Sequence, residues 1–268
     1  MKVAYLGDEN SFSFAAAQNA GFCKESRFLG FATIRECFEA LTAGAVERAV
    51  VPVENSVEGA VNETLDSFLT ANVYITAEIR LKITHSLIGL AGAKKEDVTA
   101  IYSHPQALAQ CREFLAKNFP RASVEAAKST SDAIARIDRV SAAAIGRKAD
   151  GARTRVLISG VEDGQNNVTR FFALAAAPVF EGTRCSVVFD TANEPGALLK
   201  ILAELAAAGL NMTKIESRPA KTNLGRYVFF VDFDLPGGKD ALMAFLPRIQ
   251  AHTGLLKFLG MYNEAKEI

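Results

Sequence analysis

Short strand-like runs alternate with helical patterns through the first 175 residues, and this alternation restricts the chain to a small set of folds. Apolar runs at residues 3–6 and 98–102, for example, are each followed by a turn and then by a segment with helical periodicity. Strands that alternate with helices usually pair in parallel and carry the helices on both faces of the sheet. The pattern therefore predicts an α/β fold with mostly parallel sheets, with helices over 59–69 and 105–118 among its elements.

The last third of the chain has a different order of predicted elements. Strands are expected at 184–191, 212–217, 226–235 and 255–261, and helices at 196–208 and 240–251. In chain order these elements form β-α-β-β-α-β, the split motif of ferredoxin-like domains. The Ala- and Pro-containing stretch at 175–182 precedes them and predicts a linker between two domains, at 1–177 and 184–262.

The composition argues against several classes of protein. Lys and Arg number 30 and Asp and Glu number 30, so no overall field attracts nucleic acid or an acidic membrane. No apolar run reaches the roughly 18 residues that cross a bilayer, and the first residues predict a strand and an acidic turn rather than a secretory signal. The 4 Cys residues include no C-x-x-C pair and the 3 His residues are dispersed. We therefore expect a metal-free protein with free thiols in a reducing cytoplasm.

A first polar group follows the apolar strand predicted to end at residue 53. Glu54, Asn55 and Ser56 come directly after it and before the helix expected over 59–69. In open α/β sheets, ligands bind at the carboxyl ends of strands. The alternative is that Asn55 or Ser56 only caps the helix, and the residues leave both possibilities open.

A second polar group begins at Ser103. Together with Gln106 it forms an S-x-x-Q pattern, which predicts a capping box for the helix that follows. Gln110 lies two turns along the same helix face, where capping gives no reason for an amide. We interpret His104 as a first-turn residue rather than a general base.

A third polar group stands before the buried strand predicted at 171–174. Asn166 and Asn167 are typical of a turn. Thr169 and Arg170 place a hydroxyl beside a guanidinium at the strand entrance, which suits a ligand that carries a carboxylate. The alternative for this pair is an ordinary ion pair at the end of a strand.

The three groups together resemble the motifs of the prephenate dehydratase family, and the tail resembles the ACT regulatory domain that accompanies it. The matching segments are Tyr5-Leu6-Gly7, Pro52-Val53-Glu54-Asn55-Ser56, Glu58-Gly59, Thr64-Leu65-Asp66, Ser103 to Cys111, Asn166-Asn167, Thr169-Arg170-Phe171, Pro195-Gly196-Ala197-Leu198 and Glu216-Ser217-Arg218-Pro219. The resemblance implies two periplasmic-binding-protein-like lobes, roughly 1–77 plus 160–177 and 78–159, with the active site in the cleft between them. A ferredoxin-like ACT domain would follow them. With no chorismate mutase segment before the first strand, the chain resembles the monofunctional form of the family.

For the active site, the resemblance implies decarboxylating dehydration of prephenate to phenylpyruvate, without a metal or organic cofactor. Thr169 would lie at the leaving hydroxyl. The implied catalytic residues are Thr169, Glu54, Asn55, Ser103 and Gln110. The residues implied to bind prephenate are Arg170, Ser56, Ser11 and Phe171.

For the tail, the resemblance implies feedback inhibition by L-phenylalanine, bound between subunits of a homodimer or homotetramer. Neither nucleic acid nor a membrane is an expected partner. The implied effector-binding residues are Gly196, Ala197, Leu198, Leu199, Asn211, Glu216, Ser217, Arg218 and Pro219.

Two parts of the chain depart from the family pattern. Asp8 and Asn10 stand where the family has a Pro and a Gly in the first loop. The segment 146–155 carries three arginines and a lysine in place of a more apolar helix. We interpret this basic segment as a solvated turn.

Two other functions fit the same residues. Arogenate dehydratase would use the same fold on a substrate with an amino acid side chain. A solute sensor would use the same lobes for binding without catalysis. The presence of Thr169, Asn55 and Gln110 argues against a sensor, because binding alone requires no acid at a leaving group.

Overall fold

The computed structural model describes residues 1–149, 151–164, 166–220 and 226–268. Its strands are β1 (Lys2–Leu6), β2 (Arg27–Phe31), β3 (Arg48–Asn55), β4 (Gly59–Ala60), β5 (Tyr74–Lys82), β6 (Ser86–Leu90), β7 (Ala100–Ser103), β8 (Ser123–Ala126), β9 (Ala142–Gly146), β10 (Thr154–Ser159), β11 (Val168–Ala175), β12 (Arg184–Asp190), β13 (Met212–Pro219), β14 (Tyr227–Asp234) and β15 (Leu256–Tyr262). Its helices are α1 (Phe12–Asn19), α2 (Ile34–Thr42), α3 (Asn62–Thr70), α4 (Pro105–Gln110), α5 (Arg112–Asn118), α6 (Thr130–Ala135), α7 (Ala197–Ala207) and α8 (Gly238–Gln250).

Two mixed sheets form the two lobes of the N-terminal part. The first lobe has the strand order β2-β1-β3-β11-β5, and the second lobe has the order β10-β6-β9-β7-β8. Strands β2, β1 and β3 of the first lobe pair in parallel, as do β8, β7 and β9 of the second. Within the lobes, strands β11 and β5, and β6 and β10, pair antiparallel with their neighbours. The two-lobed α/β fold is therefore confirmed. Fewer strand pairs are parallel than expected. The antiparallel strands β5, β6, β10 and β11 are those that precede or follow a crossing of the chain between the lobes.

The chain crosses between the lobes twice, after β5 and after β10. The first crossing lies between Lys82 and Ser86, later than the boundary expected after residue 77. The boundary falls later because β5 pairs with β11 as far as Lys82. The second crossing begins after Ser159 and returns the chain to the first lobe, where β11 lies between β3 and β5.

Two helices differ from the sequence-based expectation. The helix expected over 105–118 is divided into α4 and α5 at Cys111, whose backbone (φ −116°, ψ 14°) is not helical. The expected capping box is wrong, since His104 caps α4 and its ring nitrogen Nδ1 accepts from a first-turn backbone N–H at 3.3 Å. Helix α3 begins later than expected because Gly59–Ala60 pairs with β3 as β4.

The C-terminal domain, residues 184–262, has the expected βαββαβ order. Its strands are arranged as β13-β14-β12-β15 with antiparallel neighbours, and α7 and α8 cover one face. The apolar residues between this face and the helices include Cys185, Val187, Phe189, Ile201, Leu205, Val231, Phe233, Leu242, Phe245 and Ile249. The ferredoxin-like arrangement of the C-terminal domain is therefore confirmed.

The opposite face of the C-terminal sheet packs directly on the first lobe. Strand β15 pairs in parallel with β5 at Gly260 and Ile75, which makes the two sheets continuous. A Cβ atom at position 260 would collide with the carbonyl oxygen of Ile75, so this close approach requires glycine. Phe172 of the first lobe shares a hydrophobic core with Tyr262, with their rings 5.3 Å apart. The expected linker thus joins two domains that share a core.

Candidate functional site

The carboxyl end of β3 and the beginning of β11 meet at the cleft between the two lobes. Asn55 lies opposite Thr169, and Glu54 lies opposite Arg170. The side chains of Asn55 and Thr169 are buried and face the second lobe, where Gln110 ends α4. Two of the three polar groups identified in the sequence are therefore neighbours in one sheet, and the third faces them.

A β-bulge directs these side chains. Two consecutive residues of β11 lie opposite Glu54 and Pro52, which leaves Val53 as an extra residue in β3. Pro52 has no N–H to donate to the sheet, and proline in a strand is typically found at such a position. One extra residue reverses the alternation of side chains. Val53 and Glu54 consequently both face the C-terminal domain, and Asn55 is turned into the cleft.

The hydrogen bonds of Asn55 determine how Thr169 is presented. The Asn55 Oδ1 atom accepts from the backbone N–H groups of Val57 (3.0 Å) and Glu58 (3.1 Å), so Nδ2 must be the donor on the other side. Nδ2 donates to Thr169 Oγ1 at 2.9 Å and to Asn167 Oδ1 at 2.7 Å. The Thr169 oxygen therefore acts as an acceptor toward Asn55. No group in the described part of the chain accepts the Thr169 proton, which leaves it available to a ligand.

The same chain of amides continues across the cleft. Asn167 Nδ2 donates to Gln110 Oε1 at 3.0 Å, and Gln110 Nε2 donates to Glu58 Oε1 at 3.0 Å. A carboxylate can only accept, so the orientation of the Gln110 amide is determined. His85 Nε2 lies 2.9 Å from the same Gln110 Oε1 and must therefore be protonated. We refer to Asn55, Asn167, Gln110 and His85 as the amide chain.

His85 is a site residue that no sequence pattern singled out. It lies in the first crossing between the lobes, is buried, and packs edge-on against Phe12 with ring centroids 5.5 Å apart. Burial lowers the pKa of the His85 ring, which the hydrogen bond to Gln110 and the charge of Glu162 only partly oppose. Its Nδ1 atom has no hydrogen-bond partner among the described residues. Both observations favour the neutral ring with the proton on Nε2.

This burial of His85 predicts a loss of stability on acidification. An unfolded His has a pKa of about 6.5, so the unfolded chain binds the proton before the folded chain does. The neutral His85 ring therefore makes its full contribution to the free energy of unfolding above that pH. As the pH drops toward the lower pKa of the folded state, this contribution falls by about 1.4 kcal/mol per pH unit. We expect His85→Gln to reduce the difference in free energy of unfolding between pH 7.5 and 5.5, measured with urea. An unchanged difference would contradict a buried, neutral His85.

Four further residues implied by the resemblance are occupied by contacts within the protein. Ser103 is buried and donates to the Ile145 carbonyl at 2.8 Å. Ser11 caps α1, accepting from a first-turn N–H at 3.1 Å and donating to a β1 carbonyl at 3.0 Å. The Ser56 hydroxyl donates to the backbone carbonyl of Asn166 at 2.7 Å and accepts from the backbone N–H of Val168, at the start of β11, at 3.0 Å. It does not cap α3. Phe171 is buried in the core beneath α1. These side chains hold the backbone of the site, with the three hydroxyls already engaged.

Arg170 points away from the cleft and into the boundary with the C-terminal domain. Its Nη1 donates to Asp232 Oδ2 at 2.6 Å, Nη2 to the Tyr262 hydroxyl at 2.9 Å, and Nε to Glu78 Oε2 at 2.9 Å. Burial alone would lower the pKa of this guanidinium, but Asp232, Tyr262 and Glu78 outweigh it and raise the pKa. The carboxylates that Arg170 binds thus belong to the protein, as in the ion-pair alternative. Substrate binding by Arg170 has no support in this geometry.

Glu54 faces the same side of the sheet as Arg170. Its Oε1 lies 2.7 Å from the ammonium of Lys214 in β13, and its Oε2 lies 4.0 Å from Arg170 Nη1. In the described residues no hydrogen bond joins Glu54 to the amide chain. The carboxylate expected to act in catalysis therefore contacts the C-terminal domain instead.

The first loop binds the second lobe across the cleft. Asp8 Oδ1 accepts from the Ser131 hydroxyl at 2.7 Å. Arg147 donates to the backbone carbonyls of Asn10 (3.2 Å) and Glu9 (3.0 Å). The interpretation of the basic segment after β9 as a solvated turn is therefore wrong for Arg147, which is half-buried and bridges the lobes.

The effector motifs are divided between two sides of the C-terminal domain. Gly196 is the N-cap of α7 and lies in the left-handed region (φ 81°), and residues 196–199 line a groove with Tyr227. Arg218 instead faces the first lobe and pairs with Asp66 at 3.2 Å. The Asn211 amide donates to Asp234 at 3.0 Å, Glu216 is half-buried, and Ser217 and Pro219 are exposed. The groove thus contains the first effector motif but not Asn211 or Arg218.

Outside the cleft, the described ranges offer little further chemistry. No three His, Cys, Asp or Glu side chains in these ranges lie together as a metal site. Burial raises the pKa of the Cys37 and Cys111 thiols to about 12, so both remain protonated at neutral pH. Nor is any helix within these ranges long and apolar enough to cross a membrane.

Comparison with known proteins identifies the family of the chain. The family model for prephenate dehydratase matches residues 3–179, and the model for the ACT domain matches residues 186–244. The bifunctional chorismate mutase/prephenate dehydratase of Pseudomonas aeruginosa is 38% identical, over 99% of this chain and 74% of that protein. Arogenate dehydratase/prephenate dehydratase 2 of Arabidopsis thaliana is 33% identical, over 98% of this chain and 72% of that protein.

A solved structure agrees with these relatives. Prephenate dehydratase from Arthrobacter aurescens, in complex with L-Phe, has a TM-score of 0.90 and 29% identity, covering 99% of this chain and 90% of that one. Family model, relatives and structure therefore describe the same two-part protein. The chain belongs to the prephenate dehydratase family and carries a C-terminal ACT domain.

Proposed function

We propose that this chain converts prephenate to phenylpyruvate, carbon dioxide and water, the reaction of a carbon–oxygen lyase. The substrate loses its ring carboxylate as carbon dioxide and the hydroxyl on the opposite ring carbon as water, with one proton taken up. Aromatisation of the ring supplies the driving force. The observation that carries the proposal is the Thr169 hydroxyl, whose oxygen is bound by Asn55 while its proton is available in the cleft.

Thr169 donates its hydrogen bond to the departing hydroxyl. A threonine is a very weak acid, so it stabilises the negative charge that develops on the leaving oxygen rather than losing its own proton. The Asn55 Nδ2–H donates into the Thr169 oxygen at 2.9 Å, which polarises the hydroxyl and strengthens it as a donor. The bond is worth most in the transition state, where the charge is greatest.

The neutral amides of the cleft suit the carboxylate that is expelled. Strong pairing of that carboxylate in the ground state would raise the barrier to decarboxylation. The second carboxylate of prephenate needs a cation, and Arg147 supplies one at the cleft. Among the described residues, the Arg147 guanidinium donates to backbone carbonyls of the first loop and is affected by the charge of Asp8, whereas Arg170 is bound directly to Asp232. We assign the side-chain carboxylate to Arg147.

The purified full-length chain tests this function directly. We expect phenylpyruvate absorbance to appear on incubation with prephenate, and a lower kcat/KM with arogenate. Arg147→Met should raise KM for prephenate about 10-fold or more through the loss of charged hydrogen bonds. Arg139→Met, which removes an exposed pair with Asp138 in the same lobe, is the matched control. Binding of prephenate without turnover would favour a sensor, and faster turnover of arogenate would favour arogenate dehydratase.

L-phenylalanine is the proposed effector of the C-terminal domain. Support comes from the solved relative in complex with L-Phe and from the groove beside residues 196–199. Leu199 is 67% exposed and Tyr227 is 48% exposed at this groove. A second copy of the chain would cover them, which fits a homodimer or homotetramer with the effector at the subunit boundary. Titration calorimetry with L-phenylalanine, together with the solution mass, checks both parts of the proposal.

A further inference from the structure

The Asn55–Thr169 pair at the cleft has a charged counterpart on the reverse side of the same sheet. Glu54 and Arg170 are the next pair across β3 and β11, and they face the C-terminal domain. Each charged residue is covalently adjacent to one member of the cleft pair. The backbone position of the cleft pair is therefore tied to what holds Glu54 and Arg170.

The C-terminal domain supplies a matching pair of charges. Lys214 on β13 and Asp232 on β14 lie opposite each other across the two strands. Lys214 Nζ lies 2.7 Å from Glu54 Oε1, and Asp232 Oδ2 lies 2.6 Å from Arg170 Nη1. The four residues alternate in charge across the boundary between the two domains, and Glu78 of the first lobe also pairs with Arg170 at 2.8 Å. We refer to Glu54, Arg170, Lys214 and Asp232 as the charge square.

Burial makes the charge square sensitive to the loss of one member. The side chains of Lys214, Asp232 and Arg170 are only 13%, 8% and 10% exposed, whereas that of Glu54 is 37% exposed. Ion pairs among these residues are partly shielded from solvent and weakly screened, and removal of Lys214 leaves the Glu54 carboxylate with only solvent and Arg170, at 4.0 Å, as partners. Without Lys214, Glu54 would be drawn toward solvent or toward Arg170, and the end of β3 would move with it.

We infer that Lys214 of the C-terminal domain is a positioning residue for the dehydration step. Its ion pair with Glu54 holds the end of β3 so that the Asn55 amide meets the Thr169 hydroxyl. The inference rests on the proposed function, since it concerns the same Thr169 donor. It also gives Glu54 a role without contact with the substrate, as the link between Lys214 and Asn55.

The first test is a comparison of three substitutions in the full-length chain. Lys214→Met keeps most of the buried stem and removes the charge, and we expect kcat to fall about 10-fold while KM changes less than about twofold. Lys214→Arg retains the charge and should keep most of the activity. Arg248→Met breaks an ion pair within the C-terminal domain, with Glu204 at 2.7 Å, and should match the wild type. Wild-type kcat in Lys214→Met would overturn the inference.

A double-mutant cycle separates positioning from direct catalysis by Glu54. If Lys214 acts through Glu54, Glu54→Gln should lower kcat by a similar factor, and the double variant should be no worse than either single variant. An inactive Glu54→Gln beside a fully active Lys214→Met would show that Glu54 acts on the substrate directly, and would overturn the inference. Independent, multiplying effects would also overturn it.

The wild-type assay distinguishes the two levels of the proposal. If the wild-type chain forms no phenylpyruvate, the proposed function is wrong and the inference falls with it. If the wild type is active and the cycle shows no coupling between Lys214 and Glu54, only the inference is wrong. Circular dichroism melting of each variant identifies any that fail to fold, and Glu54→Gln tests the same pair from the other domain.

Discussion

Thr169→Ala is expected to lower kcat by about 10²–10³-fold and to leave KM nearly unchanged, because the lost hydrogen bond matters mainly as the hydroxyl departs. The substitution removes the donor but leaves the Asn55 amide bound to Asn167 and to the backbone of Val57 and Glu58. The binding surface should therefore persist. Steady-state formation of phenylpyruvate gives both constants.

Two companion variants make this test specific. Thr169→Ser keeps the hydroxyl and should retain part of the activity. Asn55→Asp nearly preserves the shape of the side chain, but a carboxylate can only accept hydrogen bonds. The Thr169 hydroxyl would then donate its hydrogen bond to this carboxylate instead of to the substrate. We expect Asn55→Asp to be as slow as Thr169→Ala. A Thr169→Ala enzyme with near wild-type kcat would rule out the assigned role.

Removal of the C-terminal domain after Ala177 is expected to unfold most of the remaining chain. The cut exposes the core that Phe172 shares with Tyr262, and loss of one such buried aromatic typically costs about 3–5 kcal/mol. It also removes the Asp232 and Tyr262 partners of Arg170, which keeps only its pair with Glu78 at 2.8 Å. The loss of the shared core alone is a large part of the stability of an ordinary domain, about 5–15 kcal/mol.

Near-ultraviolet circular dichroism and urea unfolding of residues 1–177 measure this effect. We expect weak tertiary signals, little cooperativity and almost no dehydratase activity. Residues 178–268 added as a separate chain should restore part of each, because the shared core would form again. A cooperative, fully active 1–177 fragment would show that the C-terminal domain contributes neither stability nor geometry to the cleft.

The order of elements could be predicted from the sequence because strand and helix periodicities are local properties. The βαββαβ order at 184–262 and the polar groups at strand ends were identified in this way. Thr169, Asn55 and Gln110 were selected by their resemblance to a family, and the fold brings them into one hydrogen-bonded set through Asn167. Their chemical roles remain proposals.

Contacts distant in sequence were not predictable in this way. His85 and Gln110 are 25 residues apart and meet only because the chain crosses between the lobes beside α4. Arg147 reaches the first loop across 137 residues of sequence. No local pattern encodes such pairs, because they arise from the packing of whole elements.

The two-domain α/β order and the family motifs can therefore be recognised without a structure. The face of the sheet that each motif residue occupies depends instead on how the strands pair. The bulge at Val53 turns Asn55 into the cleft and Glu54 toward Lys214, although the two are neighbours in sequence. The physical reason is that one extra residue reverses the alternation of a strand, and pairing with β11, rather than the residues of β3 alone, determines where that residue is placed.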